Sequence, residues 1–208
     1  MLLLVSVATG NAQWSNTTNL FLDSLDMPVV QMVNDQKNPL VFKSEPDGGY
    51  FVIWEDNRAG NTDIYAQKYD KNGNRLWAQN GLAVATGTDN QVYSTISNVQ
   101  SGSYSCRNVS HAATDGSGGF YIAFTTLDHN DVYVQHIKSD GSCAFANEGY
   151  PLAVHTASNQ PYYALPQLVA DGKGGFFIGF YVRNPYNKVY VFCYKDECGT
   201  LKSYDFGV

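Results

Sequence analysis

Three segments of the chain carry one pattern, and an internal repeat restricts the fold more than any single motif does. "GGYFVIWEDNRAGNTDIYAQKYDKNGNRLWAQNG" runs from 48 to 81. "GGFYIAFTTLDHNDVYVQHIKSDGSCAFANEG" runs from 118 to 149, and "GGFFIGFYVRNPYNKVYVFCYKDECGTLKSYDFG" from 174 to 207. Gly49, Gly119 and Gly175 match, as do Tyr65, Tyr133 and Tyr190, and Gly73, Gly141 and Gly199. A short tag precedes each copy: Asn34-Asp35-Gln36, Asp89-Asn90-Gln91 and Ser158-Asn159-Gln160. Repeat units are therefore expected over about 36–88, 91–157 and 160–208.

Each unit reads as four strands. Strand a is "PLVFKSE", "SHAAT" or "PQLVA"; strand b is "YFVIW", "FYIAF" or "FFIGF"; strand c is "DIYAQKY", "DVYVQHI" or "KVYVFCY"; strand d lies around "RLWAQ". Gly- and Asn-containing turns between alternating runs are hairpin signals. A Gly-rich run such as "DGSGG" is either a phosphate cradle or a tight turn. A dinucleotide fingerprint needs a helix after its glycines, and here an aromatic strand follows each time, so the turn is the reading adopted. Asp47, Asp115 and Asp171 are expected to close those turns with side-chain hydrogen bonds. A four-stranded meander cannot bury both faces alone, and radially stacked four-stranded sheets form a β-propeller. The predicted fold class is all-β: a β-propeller-like single domain over 13–208 with about three four-stranded antiparallel blades.

Composition agrees. Aromatic residues make up 14%, with 15 Tyr and 11 Phe, which suit half-buried strands, and 19 Gly supply turns. The net charge is −6 and no basic patch stands out, so nucleic acid is not an expected partner. No stretch reaches the roughly 18 apolar residues of a membrane span. "MLLLVSVATGNAQW" opens with an apolar run followed by Gly10-Asn11-Ala12, and lacks a basic start. Residues 1–12 read as a signal peptide, whose missing basic start is what a truncated one would show, with a buried first strand as the alternative. Export then permits disulfides among Cys106, Cys143, Cys193 and Cys198. Four cysteines allow three pairings. A hairpin at 193–198 would set Cys193 opposite Cys198, and no CxxC pair suggests a metal site.

The spacing is uneven. "VYSTISNVQSGSYSCRNVSH", 92–111, is an insertion ahead of strand a of the second unit. Such insertions map to loops, often on a binding face; a loop with no task has the same composition. Before the first unit, "WSNTTNLFLDSLDMPVVQ" resembles the end of a unit without the strands that should precede it. With only three units, against typically about four to eight blades, the expectation is the front part of a longer propeller with its C-terminal blades missing; the alternatives are several chains closing a ring together and three blades forming an open stack.

The organisation resembles a family of secreted bacterial proteins built from DGxGGxxVxWxDxRxGxxDIYxQ repeats. The match covers 36–207 and is fullest in Asp47-Gly48-Gly49, Trp54, Asp56, Arg58, Gly60, Asp63-Ile64-Tyr65 and Gln67. The second unit has Phe124 for Trp and lacks the Arg; the third has Lys188 before its Val-Tyr. The resemblance implies export, to the medium or the cell surface, and a propeller. It names no reaction. The S-x-D-x-G-x-T-W box of sialidases is absent.

Glu55, Asp56 and Arg58 sit at the b–c loop of the first unit, where paired carboxylates beside an arginine suit a glycosidase. The matching positions are Thr125, Thr126, Tyr181 and Val182, so the repeat places no second acid, and a hairpin lock by Asp56 and Arg58 is the plainer reading. Asp70-Lys71-Asn72-Gly73-Asn74 resembles a calcium loop, but position 81 is Gly rather than the required Glu, so it reads as a turn. His136 matches Lys68 at a position expected to face solvent. Tyr65, Tyr133 and Tyr190 are expected to pack between blades. Tyr162, Tyr163 and Tyr186 are candidates for stacking on a glycan. No cofactor or metal is implied. The functional expectation is a non-catalytic secreted module binding a protein or glycan; the alternatives are part of a glycan-active propeller enzyme and a structural spacer in a larger exported protein.

Overall fold

The computed structural model describes residues 28–93, 111–154, 162–183, 188–194 and 202–204. The expected signal peptide, most of the insertion, Cys106, Tyr186 and Cys198 lie outside these residues. The chain is all-β, with no helix among the described residues. The first sheet holds β1 (Gln36–Lys43), β2 (Tyr50–Asp56), β3 (Asp63–Tyr69) and β4 (Leu82–Ala85) in that order. The second holds β5 (Gln91–Val92) and β6 (Ala112–Thr114), both paired with β7 (Phe120–Thr126), then β8 (Val132–Ile137) and β9 (Tyr150–Ala153). The third runs β10 (Tyr162–Ala170), β11 (Phe176–Arg183), β12 (Lys188–Tyr194) and β13 (Lys202–Tyr204). All pairings are antiparallel.

The glycine-rich segments are turns. Asp115 Oδ1 accepts from the backbone N–H of Ser117 (2.7 Å) and Gly119 (2.9 Å), and Asp171 Oδ1 does the same for Lys173 and Gly175. Gly118 and Gly174 have φ of +90° and +85°, a region side chains disfavour. The first sheet uses a longer turn, with a cis Glu45-Pro46 bond. Ser44 there makes the backbone closure that Asp115 and Asp171 make elsewhere, and Asp47 reaches Gly49 N–H at 3.0 Å.

Two interior layers lie between the three sheets. Side chains alternate across a strand, so β7 serves both layers. Phe120, Ile122 and Phe124 pack with Phe51, Ile53, Ile64 and Ala66 of the first sheet. Tyr121 and Ala123 pack with Leu168, Phe176, Ile178 and Phe180 of the third. Burying a large apolar side chain stabilises by roughly 1.5–3 kcal/mol, so these two layers dominate the fold. A smaller cluster on the outer face of the first sheet joins Val52, Trp54 and Tyr69 to Val29, Val30 and Tyr65.

Several expectations change. Strand d is Leu82–Ala85, not the "RLWAQ" segment, which makes only a single bridge, Tyr69 to Arg75. Gln67 explains the displacement. Fully buried, it donates to Ala78 O (2.7 Å) and accepts from Trp77 N–H (3.1 Å), holding the segment off the ladder. Gln135 does the same with Ala146 and Phe145. Lys68 and His136 do not face solvent. They are 5% and 7% exposed, because the neighbouring sheet covers that face. Tyr65 stacks on Trp54 on the outer face of the first sheet rather than between sheets, whereas Tyr133, stacked on Phe124, packs as expected into the layer between the first and second sheets. The insertion is not ahead of strand a but within it: β5 and β6 are the two halves of one edge strand, parted by residues 93–111.

Candidate functional site

The edge strands of the three sheets lose register at one level. In β1 the shift falls between Lys37 and Leu40, and in β10 between Ala164 and Gln167. Along the second sheet, Val92 pairs with Thr125, and Ala123 N–H reaches His111 O at 2.8 Å. β5 and β6 are thus parted at the level where β1 and β10 bulge, at 38–39 and 165–166. A bulge leaves backbone groups outside the ladder, so the edge strand can be interrupted there without removing a ladder bond.

Four polar side chains meet at this level. Glu55, 1% exposed, accepts from Asn38 Nδ2 at 2.6 Å and from Tyr93 N–H at 3.1 Å. Asn38 adopts φ +56°, which Asn tolerates better than most residues and which aims its amide at the carboxylate. The Tyr93 hydroxyl lies within reach of the carbonyls of Asn38 and Ile53. Burial raises the pKa of that phenol, and the Glu55 charge adds to the shift. His111, 5% exposed, sits with its ring 5.9 Å from that of Tyr93. Its Nδ1 lies 3.1 Å from Pro166 O. A carbonyl only accepts, so Nδ1 carries the proton and Nε2 presents a lone pair. Among the described residues, the buried Nε2 has no hydrogen-bond partner. Burial lowers the pKa of His111, against a smaller opposing pull from the Pro166 bond and Glu55. The first sheet supplies Asn38 and Glu55, the second Tyr93 and His111, the third Pro166. The cluster therefore ties all three sheets together beside the insertion. Its chemistry is hydrogen bonding: a buried acceptor nitrogen next to a carboxylate and a phenol.

Asp56 and Arg58 lie elsewhere. Alternation along β2 sends Glu55 and Asp56 to opposite faces, so they do not form a carboxylate pair. Asp56 accepts from Trp54 Nε1 (2.7 Å), Arg58 N (2.9 Å), Arg58 Nε (2.9 Å) and Arg58 Nη2 (2.5 Å). Burial opposes its ionisation, yet these bonds hold its pKa below the ordinary value. Arg58 also donates to Asn80 O (3.0 Å) and lies 3.9 Å over the Tyr65 ring. The hydrogen bond to Asp56 raises its pKa. This is the hairpin lock the sequence suggested.

A third polar set spans the sheets. Lys68 Nζ sits 2.7 Å from Asp47 Oδ2 and donates to Gly118 O at 2.7 Å. In the second sheet His136 Nε2 lies 2.9 Å from Asp115 Oδ2, with Tyr121 stacked on the imidazole at 4.2 Å. The Tyr121 hydroxyl donates to Gly174 O at 2.7 Å.

Tyr162 and Tyr163 belong to β10, their backbones paired with Arg183 and Val182; their side chains, like Tyr186, fall outside the described positions. Register sets Lys202 opposite Cys193, and Cys198 lies outside the described residues. Among the described residues, Cys143 has no disulfide partner. The Asp70 loop is a turn: Asp70 Oδ1 accepts from Asn72 and Asn74 N–H, both at 2.8 Å. Residue-by-residue reading missed Asn38, Tyr93 and His111. The available signal was positional, since Tyr93 and His111 flank the insertion. The sequence matches no protein-family model, and no curated protein matches it significantly.

Proposed function

We propose that the chain is a non-catalytic, exported β-propeller module that binds a protein or glycan through residues 94–110 and their flanks. One observation carries this reading: the single large interruption of the repeat emerges where the edge strands of all three sheets converge, anchored by Tyr93 and His111. A rigid scaffold presenting a variable loop is the usual arrangement for recognition. The polar side chains that recur between units, Gln67 with Gln135 and Asp115 with Asp171, are engaged by the protein's own backbone. The lone break in the pattern is thus the place left for a partner.

The test compares the parent with a variant in which residues 94–110 are replaced by Ser-Gly-Ser, on a printed glycan array and a panel of immobilised mucin, collagen and fibronectin. The expected result is binding by the parent, lost in the variant, with unchanged circular dichroism and melting temperature. Blank surfaces for the parent, or release of reducing sugars from a polysaccharide panel, overturn the reading; the latter favours a glycan-active enzyme.

A further inference from the structure

At the level of the bulges the two seams between sheets are fastened by different chemistry. Between the first and second sheets the donors belong to Tyr93. Its N–H reaches Glu55 at 3.1 Å and its hydroxyl lies 3.2 Å from Ile53 O. Neither donor changes charge near neutral pH, since burial raises the pKa of the phenol further. Between the second and third sheets the donor is His111 Nδ1, 3.1 Å from Pro166 O. Pro166 lies in the stretch of β10 where the register shifts. The same seam has another fastening at its turn end, where the Tyr121 hydroxyl donates to Gly174 O at 2.7 Å and its ring packs on Phe176. The bulge end depends on an imidazole.

Histidine ordinarily changes charge between about pH 5 and 8, and the surroundings of His111 treat its two charge states differently. Neutral imidazole has one N–H, and here it is spent on Pro166 O. The cation has two. In the present ring position the second, on Nε2, meets no acceptor among the described residues, and the side chain is buried. A buried charge without a hydrogen-bond partner is costly. The elements packed around the ring offer one way out. β10 brings the Pro166 carbonyl, and Tyr93 brings a phenol ring 5.9 Å away. Glu55, from β2, is the charged group that acts on the imidazole. A carboxylate is a stronger acceptor for a cationic N–H than a carbonyl is.

We infer that His111 is an acid-operated latch between the second and third sheets: neutral, it holds the Pro166 carbonyl; protonated, it swings to Glu55 of the first sheet and frees the bulge of β10. The direction follows from burial, which holds the pKa of the latched ring below its ordinary value against smaller pulls from the Pro166 bond and Glu55. Below about pH 6.5 a released ring takes a proton that the latched ring refuses, so the released fraction grows as pH falls. Tyr121 and the apolar layer around Phe176 keep the turn end closed. The seam therefore parts at the bulge, while the first seam, fastened by Tyr93, stays shut. The latch needs no ligand at residues 94–110, so it stands apart from the binding reading.

Amide hydrogen exchange resolved by NMR on the 208-residue chain tests this. Ala123 N–H donates to His111 O at 2.8 Å, and Gln167 follows Pro166 opposite Gly179, so these two amides report on the latch. Leu76 N–H, bound to Lys68 O in the first sheet, is the reference. After correction for the chemical exchange rate, opening at Ala123 and Gln167 is expected to rise about fivefold or more between about pH 6.5 and 5, with Leu76 unchanged. His111→Asn keeps an amide N–H near the place of Nδ1 and takes no proton, so the rise is expected to vanish. Glu55→Gln removes the charge that receives the ring, so the rise is expected to shrink. Circular dichroism checks both folds. If a variant does not fold, the imidazole nitrogen shifts of the parent decide: a proton on Nδ1 at neutral pH, and on both nitrogens as the amides open. A flat profile at Ala123 and Gln167, an equal rise at Leu76, a parent-like rise in His111→Asn, or a proton on Nε2 instead of Nδ1 at neutral pH overturns the latch. A parent-like rise in Glu55→Gln overturns the swing to Glu55.

Discussion

At the scale of single residues, buried polar groups decide more than the exposed ones. Gln67 is fully buried and satisfies the N–H of Lys68 and Trp77 and the carbonyl of Ala78. Gln67→Leu keeps the volume and strands those groups. With about 1–3 kcal/mol lost per buried unsatisfied group, the expected destabilisation is about 3 kcal/mol, read as a lower urea midpoint with unchanged slope. His111 gives a second prediction. Its pKa in the fold lies below the unfolded value of about 6.5. Between the two values the unfolded chain binds a proton that the folded chain excludes, so stability is complete above about pH 6.5 and declines as pH falls toward the folded value. His111→Gln is expected to flatten the melting-temperature slope between about pH 7 and 5, and an unchanged slope would contradict this assignment. Asp56 and Asp115 act lower. Burial resists their ionisation, but hydrogen bonds from Arg58 and Trp54, and from His136, Ser117 and Gly119, lower their pKa. Their contribution is complete above about pH 3.9 and is lost as pH falls through the folded values.

At the scale of strands and turns, Trp54 and Tyr65 form a stacked cross-strand pair roofed by Gly81, and Phe124 and Tyr133 one roofed by Gly149. Gly81 has φ +84°, and a Cβ there would run into the Trp54 ring. At Gly149 a Cβ would lie 2.9 Å from Phe124 Cζ. Gly81→Ala is therefore expected to cost about 1–3 kcal/mol, combining a strained backbone with a displaced ring, and thermal melts of the two Ala variants check it. Much of this level was legible in the sequence. The aromatic second and third strands and the Asp-Gly turns follow from alternation and turn chemistry, which act between neighbours in the chain. What escaped was long-range. Lys68 and His136 look solvent-facing within one unit, and only the adjoining sheet buries them. The placement of the fourth strand depended on a glutamine side chain reaching past its own ladder. Glu55 and Asp56 look like a pair in sequence, yet adjacency in a strand separates them.

At the scale of the molecule, three sheets stack through two apolar layers, and β7 contributes side chains to both. The bulged edge strands have a further consequence, for design. In one of the three, residues 93–111 intervene between the two halves of the edge strand where its neighbours carry two residues, and lengthening a connection costs only about 0.6 kcal/mol per doubling. The sites at 38–39 and 165–166 should then accept grafted peptides of the same length without loss of folding, as soluble expression of such chimaeras would report. The molecule would become a display scaffold with three adjacent ports, each able to hold a different sequence against the same target.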